Sequence, residues 1–232
     1  MARLDDFDLI AFDADDTLWQ SEDSFNRAEL AFRELVGPYC PVGVDVEEAL
    51  RAVERADLSV SGYGVKAFTI SMVRAAISAS NRTVPVEVIE QLVGIGQYML
   101  IEPVHVLSHV PEVLAAVGAE KRIVMITKGD LVHQTRKVTT SGLEHHFSEI
   151  EILLEKDSIT YAKIFGRLGV EPDRVLMVGN SVKSDILPVL ALGGHAVHIP
   201  YHMTWELERV DEHDEEFVEL ASISELPGWL GL

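Results

Sequence analysis

The stretch LIAFDADDTLW, Leu9 to Trp19, sets three aspartates, Asp13, Asp15 and Asp16, directly behind an apolar run. Leu9, Ile10, Ala11 and Phe12 show no polar alternation, the pattern of a strand buried on both faces. Carboxylates gathered at the end of such a strand repel one another. A helix N-terminus, a bound cation or both must make that crowding tolerable.

Working outward, four more apolar runs read as buried strands: Arg122 to Thr127, Glu149 to Leu153, Arg174 to Gly179 and His195 to Ile199, beside Asp8 to Asp13. Helical patterns separate them. Pro111 to Gly118 opens with Pro at a first helical position and closes with Gly. Ser158 to Leu168 places Tyr161, Ile164, Phe165 and Leu168 at helical spacing, with Gly169 as a stop. This alternation predicts an α/β fold with a doubly wound parallel sheet. From Gln20 to about Val104 only helices are expected. Phe25, Ala28, Phe32, Leu35 and Val36 form one stripe, Asp45 with Glu48 a capping box, and Phe68, Met72, Ala75, Ala76 and Ala79 another stripe. Pro85 opens a further helix towards Leu100, in which Gly94 and Gly96 read as points of close packing. The expected organisation is an α/β core domain from residues 1–19 and 105–232, with an all-helical cap domain, 20–104, inserted after the first strand. The acidic run Asp211 to Glu216 reads as solvated surface, and Ile223 to Leu230 as a segment that docks back.

The composition narrows the function. With 38 acidic and 19 basic side chains the net charge is −19, which repels nucleic-acid backbones. A phosphate site would therefore need local positive charge or a metal ion. Cys40 is the only cysteine, so no intrachain disulfide forms and a reducing compartment is expected. The N-terminal MARLDDFD is acidic where a signal peptide is basic, and no apolar run approaches the ~20 residues of a membrane helix. These features predict a cytoplasmic protein with no membrane partner. Nothing in the sequence fixes its oligomeric state.

In an open α/β sheet, ligands bind outside the carboxyl ends of the strands. The first strand ends in Asp13, with Asp15 two residues on. The second ends in Thr127, followed by Lys128-Gly129-Asp130. Lys156 follows the third, and Gly179-Asn180-Ser181, with Asp185 beyond, follows the fourth. Carboxylates, a hydroxyl and lysines thus converge on one edge, and oxygen-only ligands of this kind suit Mg²⁺.

Asp13-Ala-Asp15-Asp16-Thr17-Leu18 resembles the DxDx[TV] nucleophile motif of the haloacid dehalogenase superfamily. Thr127 resembles its second motif, Lys156 its third, and Gly179-Asn180-Ser181-Val182-Lys183-Ser184-Asp185 its metal-binding fourth, in the family's order. The segments GYGVKAFTISM and VGNSVKSDILPVLALGGHAVHIPY are most similar to a phosphatase-like branch. The resemblance implies a Rossmann-like core with a helical cap, and a Mg²⁺-dependent phosphatase acting on a small phosphorylated metabolite. Asp13 would attack phosphorus, and Asp15 would protonate the leaving oxygen and later activate water. Thr127 and the backbone after it would hold phosphate oxygens, and Lys156 would neutralise charge shared with Asp13. Lys163 is the rival for that last role. The metal would be held by the Asp13 side chain, the Asp15 main-chain carbonyl and Asp185, with Asn180 beside them. Lys128, Tyr63 and Lys66 are expected on the substrate side, and Trp19 is a further cap-side candidate.

Each residue alone has an ordinary explanation. Asp15, Asp16 and Thr17 suit a helix cap, Thr127 a strand-end hydroxyl, Lys156 and Lys66 solvated lysines, and Asp185 an N-cap. Two positions depart from the family pattern: Asn180 stands where aspartate is common, and Asp16 where glycine is common. His195, His198 and His202 make a weak zinc set, because His195 and His198 point to opposite faces of a strand. A phosphomutase would use the same core residues. A dehalogenase fits less well, because those members typically lack a carboxylate at the position of Asp15, and Asp185 also argues against it. A binding or regulatory protein that keeps the fold without turnover is the reading from another class.

Overall fold

β1 (Leu9–Phe12) is buried along its whole length in the computed structural model, which describes residues 4–210 and 213–232. Its side chains alternate between two cores. Ile10 and Phe12 join one with Val113, Leu114 and Val117, and Leu9 and Ala11 join the other with Tyr161, Ile164 and Phe165. An unbroken apolar run is what a strand covered on both faces needs.

β1 pairs in parallel with β2 (Arg122–Lys128) on one side and β4 (Val175–Gly179) on the other, Leu9 lying opposite Arg122 and Val175. β3 (Glu149–Leu153), β5 (His195–His198) and a two-residue β6 (Val218–Glu219) complete a six-stranded parallel sheet in the order β3-β2-β1-β4-β5-β6. β6 has no counterpart in the sequence reading; two residues carry too little periodicity to be seen.

The chain divides into two compact units. The α/β unit takes the described residues up to Glu22, Val104–Lys128 and Gln134–Leu232. The other takes Asp23–Pro103 with Gly129–His133. In the second unit, α1 (Glu22–Val36), α2 (Val46–Ser61), α3 (Val65–Ala79) and α4 (Val86–Met99) bury Phe32, Leu50, Met72 and Leu92 in one core. Asp45 caps α2 by accepting from the Glu48 N–H at 3.0 Å, while the Glu48 carboxylate turns to Arg55 rather than back to the cap. Gly96 is a close approach, since a Cβ there would lie 2.8 Å from Thr69 Cγ2. Gly94 meets open space, so the close-packing expectation fails at that position.

In the α/β unit, α5 (Val110–Glu120) and α7 (Ser158–Leu168) cover opposite faces of the sheet. Asp157 caps α7 through the Thr160 N–H at 2.7 Å, and Gly169 ends it in the left-handed region. α6 (Leu131–Ser141) lies between β2 and β3, where the sequence reading expects a helical pattern without giving its bounds: it buries only Gln134 and Val138, so it shows no apolar stripe. After α8 (Leu187–Leu190), the short α9 (Leu226–Leu230) docks Leu226 and Leu230 into the core. Asp211 and Glu212 of the acidic run lie outside the described residues, and His213 to Glu216 are exposed. Among the described residues, no helix is long and apolar enough to cross a membrane.

Candidate active site

The chain leaves β1 to form β2 and β3 on one side and returns to form β4 and β5 on the other. That reversal opens a crevice beyond the carboxyl ends of β1 and β4. Asp13 stands at its rim, its N–H continuing the ladder to the Val178 carbonyl at 2.9 Å.

Lys156, from the loop after β3, reaches under the sheet edge with its side chain only 2% exposed. Its ammonium donates to Asp13 Oδ1 and, at 2.7 Å, to Asp185 Oδ1. Burial disfavours that ammonium, but the charges of Asp13 and Asp185 outweigh it and hold the lysine well above its usual range. Lys163, the rival, lies exposed on α7. Two buried carboxylates thus share one ammonium. Burial, followed by repulsion from Asp185, pushes Asp13 up to about 7 against the pull of Lys156.

Asp185 is placed by an unusual local structure. Residues Val182–Ile186 form one π-helical turn, a geometry frequent at functional sites. Ser181 caps it, accepting from the Ser184 N–H at 3.0 Å, and the Ser181 N–H donates to Asp185 Oδ2 at 3.0 Å. The Asp185 carboxylate lies over Gly179, where a Cβ would come within 2.6 Å of Asp185 Cβ. Only glycine fits at the end of β4.

The Asn180 amide is assigned from its neighbours. One end lies 3.2 Å from Asp13 Oδ2 and 3.1 Å from the Asp15 carbonyl. Those oxygens only accept, so the amide nitrogen faces them. The Thr17 hydroxyl donates to Asp13 Oδ2 at 3.1 Å, leaving its oxygen to accept from Asn180 at 3.2 Å.

Asp15 has a separate environment. Its carboxylate accepts from Trp19 Nε1 at 2.6 Å, from Gln134 Nε2 at 2.8 Å, and from Lys137. Burial opposes its charge, but Lys137, Gln134 and Trp19 outweigh that and hold Asp15 below the usual carboxylate range. Trp19 is fully buried here, which corrects its reading as a cap-side residue facing substrate. Gln134 also bonds the Lys128 carbonyl at 2.7 Å and lies 3.3 Å from the Thr127 hydroxyl. Sequence reasoning missed Gln134 and Lys137 together with the bounds of α6. Their one visible signal is Asp130, whose side chain caps the helix through the His133 N–H at 2.8 Å.

Asp16 explains its own departure from glycine. Its φ is 62°, in the left-handed region that aspartate tolerates better than most residues. Its carboxylate accepts from the N–H groups of Ser21 (2.8 Å) and Glu22 (3.1 Å), where α1 begins. The helix-cap reading therefore holds for Asp16, while Asp13 and Asp15 have other partners.

Lys128 donates to Glu208 at 2.6 Å and to Ser184 at 2.8 Å, so its charge is directed at the C-terminal segment. Lys66 and Tyr63 belong to the helical unit, where the exposed Lys66 pairs with Asp130 at 3.0 Å and Tyr63 is half-buried. His195 packs edge-on against Phe7, while His198, on the other face of β5, reaches the Asn180 carbonyl at 3.0 Å and Glu219 at 2.9 Å.

The oxygen donors suit a hard divalent cation: the carboxylates of Asp13 and Asp185 and the main-chain carbonyl of Asp15, with the Asn180 amide against two of them. Among the described residues, no three His, Cys, Asp or Glu side chains gather as a metal cluster, so the set rests on two carboxylates. Those two charges against one ammonium leave a buried negative excess that a cation would offset.

The family model for haloacid dehalogenase-like hydrolases matches residues 7–193. A haloacid dehalogenase-like hydrolase from Xanthomonas campestris, at 38% identity, superposes with a TM-score of 0.87 over 97% of this chain and 91% of that one. A 2-haloacid dehalogenase from Pseudomonas syringae pv. Tomato shares the fold, with a TM-score of 0.63 and 21% identity over 97% of this chain and 98% of that one. The glyceraldehyde 3-phosphate phosphatase of Methanothermobacter thermautotrophicus is 29% identical over 111 residues, 45% of this chain and 49% of that protein. The chain therefore matches about half the length of that curated relative.

Proposed function

The chain belongs to the haloacid dehalogenase-like hydrolase family, and from that premise we propose that it is a Mg²⁺-dependent phosphatase hydrolysing a small phosphomonoester. The observation that carries this is the division of labour between two aspartates of one motif. Asp13 shares the Lys156 ammonium with Asp185, whereas Asp15 is held apart by Lys137, Gln134 and Trp19. Carboxylates in contrasting environments are what a nucleophile and an acid–base partner require.

Asp13 attacks phosphorus; a P–O bond to Asp13 forms and the ester P–O bond breaks. Asp15 gives the leaving oxygen its proton. It rests ionised beside Lys137 and takes up that proton from solvent as substrate binds, because the incoming phosphate dianion raises its proton affinity: nearby like charge disfavours the charged form. Water then attacks the aspartyl phosphate, losing its proton to Asp15, and the Asp13–phosphorus bond breaks. Thr127 and the backbone after it hold phosphate oxygens, and Lys156 offsets charge at Asp13. Asp13, the Asp15 carbonyl and Asp185 would hold Mg²⁺, which when bound would supply positive charge that lessens repulsion between nucleophile and phosphate.

The fold shared with a 2-haloacid dehalogenase does not carry over its reaction. A departing halide needs no proton, so Asp15 and its three polar partners would have no task there. Similarity to a phosphatase over part of the chain supports the phosphoryl reading. The test is release of inorganic phosphate from an aryl phosphate with and without Mg²⁺, then from a panel including glyceraldehyde 3-phosphate, beside halide release from 2-haloacids. Phosphate release that needs Mg²⁺ is expected. Halide release, or transfer of phosphate without hydrolysis, would replace the proposal with a dehalogenase or a phosphomutase.

A further inference from the structure

Glu208 lies in a short turn, Glu206–Glu208, beyond the residues 7–193 that the family model matches. Its carboxylate is only 11% exposed and collects donors from two other segments. Ser181 donates at 2.6 Å and Ser184 at 2.5 Å, both to Oε2, and Lys128 donates to Oε1 at 2.6 Å. Ser181 Oγ already accepts from the Ser184 N–H, and Ser184 Oγ accepts from Lys128. The single proton of each hydroxyl is therefore left for Glu208. Lys183 ties the same turn again, donating to the Leu207 carbonyl at 2.6 Å.

We propose that Glu208 is a positioning residue that locks the Ser181–Asp185 turn to the end of β2 and so fixes Asp185 for the metal. The inference rests on the phosphatase reading above. Hydrogen bonds to an ionised acceptor are about twice as strong as neutral ones, and this carboxylate takes one from each of Ser181, Ser184 and Lys128. Asp185 directly follows Ser184, and its Oδ2 accepts from the Ser181 N–H, so the two residues Glu208 grips are those that aim Asp185. An amide at this place offers one acceptor oxygen and turns an NH₂ group towards hydroxyls or an ammonium. It cannot meet all three donors. Lys128 would keep Glu155, at 3.9 Å, but lose its closer carboxylate.

The experiment follows melting temperature against Mg²⁺ concentration for the full chain and for Glu208→Gln, with aryl phosphate turnover over the same range. The expected result is a Mg²⁺ midpoint raised about tenfold by both readouts, with turnover at saturating Mg²⁺ within about threefold of the parent; tenfold corresponds to ~1.4 kcal/mol. A merely structural role would lower the melting temperature equally at every Mg²⁺ concentration and leave the midpoint unmoved, and that result overturns the proposal. Should Glu208→Gln fail to fold, Ser184→Ala removes one of the three donors and is read against the same two outcomes. A parent protein that shows no Mg²⁺ response by either readout refutes the reading of the metal site itself, and this inference with it.

Discussion

Replacing Lys156 by Met keeps a side chain of similar length and removes the ammonium that Asp13 and Asp185 share. The lysine side chain is 2% exposed, and those of Asp13 and Asp185 are 9% and 1% exposed. Water can compensate for little of the loss. Removing one partner from a buried ion pair costs about 3–5 kcal/mol, because the remaining charge is left uncompensated. In a chain of this size, 1 kcal/mol moves the melting temperature by about 2–4 °C, so a fall of roughly 6–20 °C is expected without metal. The deficit should depend on pH with a definite sign. Asp13 has a folded pKa of about 7 against an ordinary value of 3.8. The folded chain thus holds a proton that the unfolded chain has released, and this group costs stability as pH rises through the window from about 4 to about 7. Lys156 pulls that pKa down, so its removal extends the window upward. The assay is thermal unfolding of parent and variant by circular dichroism, in chelator, at about pH 5 and about pH 8. The deficit should be larger at the higher pH. A variant melting within about 2 °C of the parent at about pH 8 would refute the argument that these carboxylates depend on Lys156.

Asp13→Asn removes charge with little volume; aryl phosphate turnover should vanish while the circular dichroism spectrum is kept, and a folded variant with substantial turnover would exclude Asp13 as nucleophile. Lys137→Met takes away the cation that stabilises ionised Asp15, so the Asp15 pKa rises and the alkaline limb of kcat, which reports the substrate-bound enzyme, should move up by about one pH unit, which is worth ~1.4 kcal/mol. An unmoved pH profile would show that Asp15 is not the acid of the first step. Asn180→Asp sets a third carboxylate against Asp13 and the Asp15 carbonyl, so it should lower the melting temperature in chelator and lower the Mg²⁺ concentration for half-maximal activity. Asp185→Asn should raise that concentration steeply, and an Asn180→Asp midpoint equal to the parent's would place Asn180 outside the metal's reach.

The sequence alone determined the architecture, because the strands of a sheet covered on both faces must be continuously apolar and the helices between them must carry a stripe. Leu9–Phe12 and the Tyr161/Ile164/Phe165/Leu168 pattern could be read without neighbours. Asp13, Thr127, Lys156 and Asp185 were legible as candidates because each lies at or beyond a strand end, and strand ends can be located from apolar runs. What the tertiary structure decided is which polar groups meet. α6 hides from periodicity analysis because its buried face includes a glutamine, placed where Asp15 needs a donor. Glu208 has no local pattern at all; only the return of the C-terminal segment brings it to Ser181, Ser184 and Lys128. Trp19 read as a residue for substrate until its indole N–H was found on Asp15. An apolar side chain is specified by its own need to leave water, so one position suffices to place it. A buried carboxylate is tolerated only with partners, and those partners can come from anywhere in the chain.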